Sequence, residues 1–212
     1  MKKLFFALLV CSTTLVACKK EGCTNPLATN YDKKAKKDDG SCILTQDPNT
    51  APLCAGITGN TKLLPIAAGY KWEYRRTTGG QASLYSEEIV GTEDINGISY
   101  FKVHFVNNQI SSTGTFHLRV DASNGNVYKK PDGQEEVLYI SGNPTVGQSI
   151  GAGTVTNVNA SITTAACTYT GCVEVTESST LATKKLYFKR GIGVVKVDNG
   201  VLGVDELDGV AF

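Results

Sequence analysis

Five side chains between Cys23 and Cys42 carry oxygens of the kind a calcium ion prefers: Asn25, Asn30, Asp32, Asp38 and Asp39. Their spacing is not that of an EF-hand. Asp38-Asp39-Gly40 keeps only a fragment of the D-x-D-x-D-G loop, and Lys33, Lys34, Lys36 and Lys37 oppose a cation beside them, so the same acids serve equally as caps on turn amides. Calcium is the one cofactor the sequence leaves open. His104 and His117 are the only histidines, and on facing strands their imidazoles would give two nitrogens to zinc or copper. A third ligand has no visible spacing. Gly147-Gln148-Ser149-Ile150-Gly151 fits the G-x-S-x-G nucleophile elbow, but no histidine follows Ser149 and no helix pattern follows the turn, so the segment reads as a loop and strand start after Pro144 rather than as that elbow. Glu87-Glu88 and Glu135-Glu136 are strand neighbours that point to opposite faces, not a catalytic carboxylate pair. Gly191-x-Gly193 lacks the third glycine of a dinucleotide loop. Tyr70, Trp72 and Tyr74 alternate with Lys71 and Glu73 and line either a ligand groove or a core. No catalytic set assembles from these residues, and a non-enzymatic role is expected.

The chain opens with Lys2 and Lys3, runs through an apolar stretch from Leu4 to Val10, and reaches Leu15-Val16-Ala17-Cys18. That is a signal-peptide layout, with an apolar run shorter than the roughly 20 residues a spanning helix needs. Leu-x-Ala-Cys also resembles the bacterial lipobox, which implies cleavage after residue 17, lipid on Cys18, and membrane anchoring through residues 18–21. Lys19 stands where the familiar inner-membrane retention signal has aspartate, so the expected address is the outer membrane of a bacterial envelope. In that oxidising compartment Cys23, Cys42, Cys54, Cys167 and Cys172 are disulfide candidates. Spacing suggests two local pairs, Cys23 with Cys42 and Cys167 with Cys172; Cys54 joined to Cys167 or Cys172 stays open.

Residues 22–42 are too few to bury a core and need a staple. A bond from Cys23 to Cys42 would stabilise the unit by about 3 kcal/mol through loop closure. Gly22, Cys23, Thr24, Pro26, Ala28, Asn30, Tyr31, Ala35 and Asp38-Asp39-Gly40-Ser41-Cys42 resemble a short repeat, G-C-T-D-P-x-A-x-N-Y-x-P-x-A-x-x-D-D-G-S-C, of envelope and secreted proteins of Bacteroidota. Asn25 and Lys33 depart from it. Residues 43–62, with Pro48, Pro52, Gly56 and Gly59, read as a linker.

From residue 63 to 212 the apolar period is two, broken by turn pairs at Asn96-Gly97, Asn124-Gly125, Pro131-Asp132-Gly133, Asn143-Pro144 and Asn199-Gly200. No window makes a helix. The expected fold is all-β, an antiparallel hairpin meander curling into a half-barrel or sandwich. One hairpin can be registered by hand, placing Phe105 opposite Phe116, Val103 opposite Leu118 and Phe101 opposite Val120. Leu64-Pro65, Gly69, Trp72 and Tyr74, with Tyr187-Phe188 and Gly191-Ile192-Gly193-Val194-Val195-Lys196, resemble β-rich bacterial lipoprotein domains of the form L-P-x-x-x-G-x-x-W-x-Y and G-[IV]-G-[LV]-V-K. The resemblance implies fold and class and lends no activity.

Loss of residues 1–17 removes Lys2 and Lys3 from 21 basic residues and none of 20 acidic ones, leaving a net charge near −1. A nucleic-acid partner, which demands a basic excess, is set aside. The expected partners are the membrane, through lipid on Cys18, and either an unidentified envelope protein or a small apolar ligand. A structural or adhesive protein with a calcium-stiffened stalk is the alternative, and an enzyme with a site assembled from distant strands the third reading.

Overall fold

A computed structural model describes residues 20–23, 31–37, 39, 41, 53–107, 111–180 and 182–212. They fall into two units, one within residues 1–45 and one within 46–212.

In the first unit, Glu21 and Lys37 form an isolated parallel bridge, joined by Gly22 N–H to Lys37 O at 3.1 Å. Lys37 Nζ also pairs with Glu21 Oε1 at 2.6 Å. Cys23 is 1 % exposed and disulfide-bonded; the pairing expected with Cys42 falls outside the described residues.

The second unit is all-β, as the alternation requires. Its strands are β1 (Lys71–Thr78), β2 (Gln81–Ile95), β3 (Ile98–Asn107), β4 (Ser112–Val120), β5 (Val127–Pro131) and β6 (Val137–Ile140). The second half adds β7 (Ser149–Ile150), β8 (Gly153–Thr163), β9 (Thr168–Ser178), β10 (Thr183–Lys189), β11 (Gly193–Asp198) and β12 (Val204–Ala211). Among the described residues the sole helical element is a 3-10 turn, Gly200–Leu202. The strands form one antiparallel sheet in the order β6-β5-β4-β3-β2-β1-β12-β11-β10-β9-β8-β7. Two six-stranded meanders are thus joined along β1 and β12. The two edges, β6 and β7, follow each other in the chain and come together, so the sheet nearly closes into a barrel. Register shifts in the β1–β12, β2–β3, β5–β6, β8–β9 and β10–β11 pairs supply the bulges that bend it. The β2–β3 turn uses Asn96 and Gly97 at φ 53° and 80°, the left-handed pair that a two-residue hairpin needs.

The inward positions carry the core. Trp72 is 2 % exposed and donates its indole N–H to Ile192 O at 2.6 Å. Phe188, Ile89, Val103, Leu207 and Val195 are buried around it. Truncating Trp72 or Phe188 to alanine costs roughly 3–5 kcal/mol.

Three expectations are corrected. The β3–β4 hairpin closes two residues earlier, with Phe101 opposite Leu118, Val103 opposite Phe116 and Phe105 opposite Gly114. An even slip keeps every side chain on its face. The expected register would have set Lys102 opposite Arg119; instead Lys102 lies opposite His117 and bonds Glu93 at 2.9 Å, while Arg119 bonds Glu136. Second, residues 53–62 are not a linker. Leu53 is 4 % exposed, its carbonyl accepts from Tyr169 OH, Ile57 N–H bonds Gly191 O, and Gly191 N–H bonds Lys62 O.

Third, Cys167 pairs with Cys54, at a Cα–Cα distance of 5.5 Å, and not with Cys172. Cys167 and Cys172 do not bracket a hairpin end, because β9 runs on from Thr168 through Cys172. Five residues of extended chain span about 16 Å, well beyond the roughly 7 Å a disulfide tolerates. Cys172 is a buried free thiol, and burial raises its pKa.

Candidate functional site

The residues singled out by type and spacing are not brought together. Of the calcium set, Asp32 pairs with Lys20 Nζ at 2.5 Å and accepts from Lys34 N–H, while Asp39 accepts from Ser41 N–H. Both therefore cap turns, and the hydrogen bonds lower both pKa values. Asn25, Asn30 and Asp38 lie outside the described residues. His104 and His117 share a face but are not cross-strand partners, since His104 faces Thr115. His117, 6 % exposed, stands 3.3 Å from Glu93 and 3.6 Å from Asp132. No group of three or more His, Cys, Asp or Glu suited to a metal occurs among the described residues. Ser149 is exposed on β7, followed by strand and not helix.

The aromatic line is core. Trp72 and Tyr74 are buried, Tyr74 OH donates to Val194 O at 3.2 Å, and Tyr70 packs edge-on against Phe212. As a groove this set is closed, because each polar tip is used by the β11 segment or each ring is covered by a neighbour.

Two other clusters hold unspent chemistry. The first lies on the inward face. Asp205 on β12 is 2 % exposed and fully engaged: Arg76 Nε and Nη2 reach its two oxygens at 2.6 and 2.8 Å, and Tyr85 OH donates at 3.2 Å. Burial, reinforced by Asp205, holds the Tyr85 phenol far above its ordinary pKa. Glu87, two residues along β2 and directly opposite Trp72, makes no hydrogen bond or ion pair among the described residues. Burial raises its pKa, opposed by the field of Lys129. Lys129 on β5 has its own pKa lowered by burial, and its ammonium rests 3.8 Å from the Phe116 ring centre and 5.1 Å from that of Tyr139. Glu87 and Lys129 feel each other without touching. Both side chains keep some accessible surface.

The second cluster is a pocket of about 460 Å³. Residues 61–64, the β4–β5 turn, the end of β6 and Arg190 enclose it. Leu64, Val127 and Ile140 give it apolar walls, each 6 % exposed or less. The turn is pressed close against β6: a Cβ on Gly142 would collide with the Asn124 carbonyl and the Gly125 backbone, so only glycine fits there. Ser141, 6 % exposed, lines the pocket, and its hydroxyl makes no hydrogen bond with the described residues. At the rim stand Lys62 and Arg190.

None of these five, Glu87, Lys129, Ser141, Lys62 and Arg190, belongs to a motif. The inward parity of Tyr85-x-Glu87-x-Ile89 and Val127-x-Lys129 was the available signal for the first two. Lys62 sat in a stretch with linker composition, and Arg190 beyond the last residue of a strand.

No family model matches the sequence, and no curated protein matches it. Two solved structures are similar. One is a protein of Bacteroides fragilis NCTC 9343, described as exported and of YmcC-like fold, with a TM-score of 0.45 at 11 % identity over 72 % of this chain and 100 % of that one. The other is a protein of Parabacteroides distasonis ATCC 8503, described as a lipoprotein, with a TM-score of 0.47 at 12 % identity over the same shares.

Proposed function

We propose that the chain is an exported bacterial envelope protein, anchored by lipid on Cys18, whose β domain binds a small, largely apolar ligand without catalysing a reaction. The observation that carries the binding reading is the pocket of about 460 Å³ at the β4–β5 turn, which lies in the size range of small-molecule sites, about 300–1,000 Å³. Five of its 13 lining residues, Leu63, Leu64, Val120, Val127 and Ile140, are apolar and stand beside six polar or charged ones, so the site offers an apolar wall together with polar groups that can orient a ligand. Lys2-Lys3, the apolar run to Val10 and Leu15-Val16-Ala17-Cys18 support export and lipidation, and Lys19 after the lipidated position supports the outer membrane as destination. The reading as binder rather than catalyst is supported by the pairing of Ser149, on β7, with Thr154, while both histidines lie on β3 and β4.

Intact and native mass spectrometry of the chain taken from its own envelope tests both halves. An acyl mass on a chain beginning at Cys18, with a small molecule that leaves on organic extraction, is the expected result. Cleavage without acylation would remove the anchor, and a chain that arrives empty and takes up no apolar compound would remove the binding function.

A further inference from the structure

The chain has four arginines, and three are closed forks. Arg75 bonds Asp208 through Nε and Nη2, Arg76 bonds Asp205 through the same two atoms, and Arg119 bonds Glu136 likewise. Arg190 alone holds no carboxylate among the described residues: it donates Nη1 to Thr61 O at 2.7 Å, which leaves its remaining N–H donors free. Lys62 is brought beside it because Gly191 N–H bonds Lys62 O at 2.8 Å. Lys62 has no acid partner within 4.0 Å among the described residues either. The 13 residues lining the pocket include these two cations and no acid. Asp121, the acid nearest in sequence to the lining turn, is turned onto Ser123 and Asn124. In the same lining Ser141 presents a hydroxyl with no hydrogen bond among the described residues from a nearly buried position, and Leu64, Val127 and Ile140 are aliphatic.

We propose that this pocket takes a single-chain anionic amphiphile. Its acyl tail lies on Leu64, Val127 and Ile140, and its carboxylate or phosphate lies between Lys62 and Arg190 within reach of Ser141. The inference rests on the small-ligand reading and adds the charge of the head. A planar guanidinium with free parallel donors matches the two oxygens of a carboxylate or phosphate, and a neutral or cationic head would leave both rim cations facing no partner. Such a head can come from a free fatty acid or from an anionic membrane lipid.

The test uses the full mature chain, stripped of co-isolated small molecules and held in nanodiscs of zwitterionic phosphatidylcholine. Decanoate, decanol and decyltrimethylammonium are titrated in turn, with the fluorescence of Trp72 as reporter. Trp72 is the only tryptophan, and Gly193 lies against both its indole and Leu64 in the pocket wall. Decanoate is expected to bind about tenfold more tightly than decanol, a ratio matching one charge-assisted contact of about 1.4 kcal/mol, and the ammonium compound least tightly. Arg190→Gln should abolish that preference and leave decanol unchanged; Lys62→Gln, at an exposed side chain, gives the same readout should Arg190→Gln fail to fold. Saturation of the pocket in phosphatidylglycerol discs without added decanoate supports the same chemistry and names the membrane lipid as its source. Equal affinity for decanoate and decanol overturns the anionic head while the small-ligand reading stands. No binding of any of the three overturns both.

Discussion

Two acids point into the same barrel from β12 and β2, the strands on either side of β1, and their surroundings are opposite. At the corner where β12, β1 and β2 meet, both Asp205 oxygens are taken by the Arg76 fork and the Tyr85 hydroxyl, and Tyr85 is stacked on Tyr74 with ring centres 5.1 Å apart. Farther along β2, Glu87 has an aromatic neighbour and a lysine in electrical but not physical contact. The first region is a completed circuit, in which a buried charge is made tolerable by partners that cannot be removed singly. The second is an acid with no hydrogen-bond partner among the described residues, which the fold accommodates but does not use for cohesion. Depth inside a barrel therefore says little about whether an acid holds the fold together; the number of its oxygens already engaged says much more.

The comparison is most exposed to Arg76→Met. Losing the fork leaves a buried carboxylate with one phenol, and the cost is expected near 3 kcal/mol, the lower end for an orphaned buried charge because the Arg76 side chain is itself partly in solvent. Urea unfolding at neutral pH measures it; a loss under about 1 kcal/mol would mean the corner behaves like a surface pair. Tyr85→Phe removes one of three bonds to the same acid and should cost about 1.5 kcal/mol in the same assay. Glu87→Gln is expected to reverse the sign and stabilise by about 1 kcal/mol at neutral pH. Because burial raises the folded-state pKa of Glu87, the native protein takes up that proton more readily than the unfolded chain. Its contribution is thus most favourable at low pH, declines as pH rises from the ordinary carboxylate value near about 4 through the raised folded value, and stays lost above it. The gap between variant and parent should open across that window and then level off. A gap independent of pH would show that Glu87 is not enclosed as described. Arg119→Gln, on the partly exposed Arg119–Glu136 pair, sets the floor at no more than about 1 kcal/mol.

Alternation told a great deal about this chain, and its limits are visible in the same strands. Period two with Asn-Gly turns led to an antiparallel, strongly curved, helix-free sheet, and β1 places Trp72 and Tyr74 inward as that period demands. Parity survives a slip of two residues, which is why the β3–β4 faces were right while the partners were not. The Cys54–Cys167 bond was one of several pairings consistent with composition; choosing it required knowing that Thr168 begins an extended strand. Sites fared worse. Motif reasoning looks for reactive types at fixed spacing, whereas the pocket draws Lys62, Ser141 and Arg190 from three segments that meet only because the meander curls back. Lys62 was further concealed by a proline- and glycine-bearing stretch whose backbone bonds to Gly191 carry no signature in residue type.

The Cys54–Cys167 bond also decides how the domain would bear load. A pull arriving along the chain from upstream of Leu53 meets that covalent link before it can reach β1, and is handed directly to the start of β9, in the other meander. The hydrogen bonds between β1 and its two neighbours are thereby spared from shear. With the disulfide intact, a tether on the amino-terminal side strains one corner of the sheet; once it is reduced, the same pull would peel residues 55–70 and then draw β1 out from between β2 and β12, starting at Lys71.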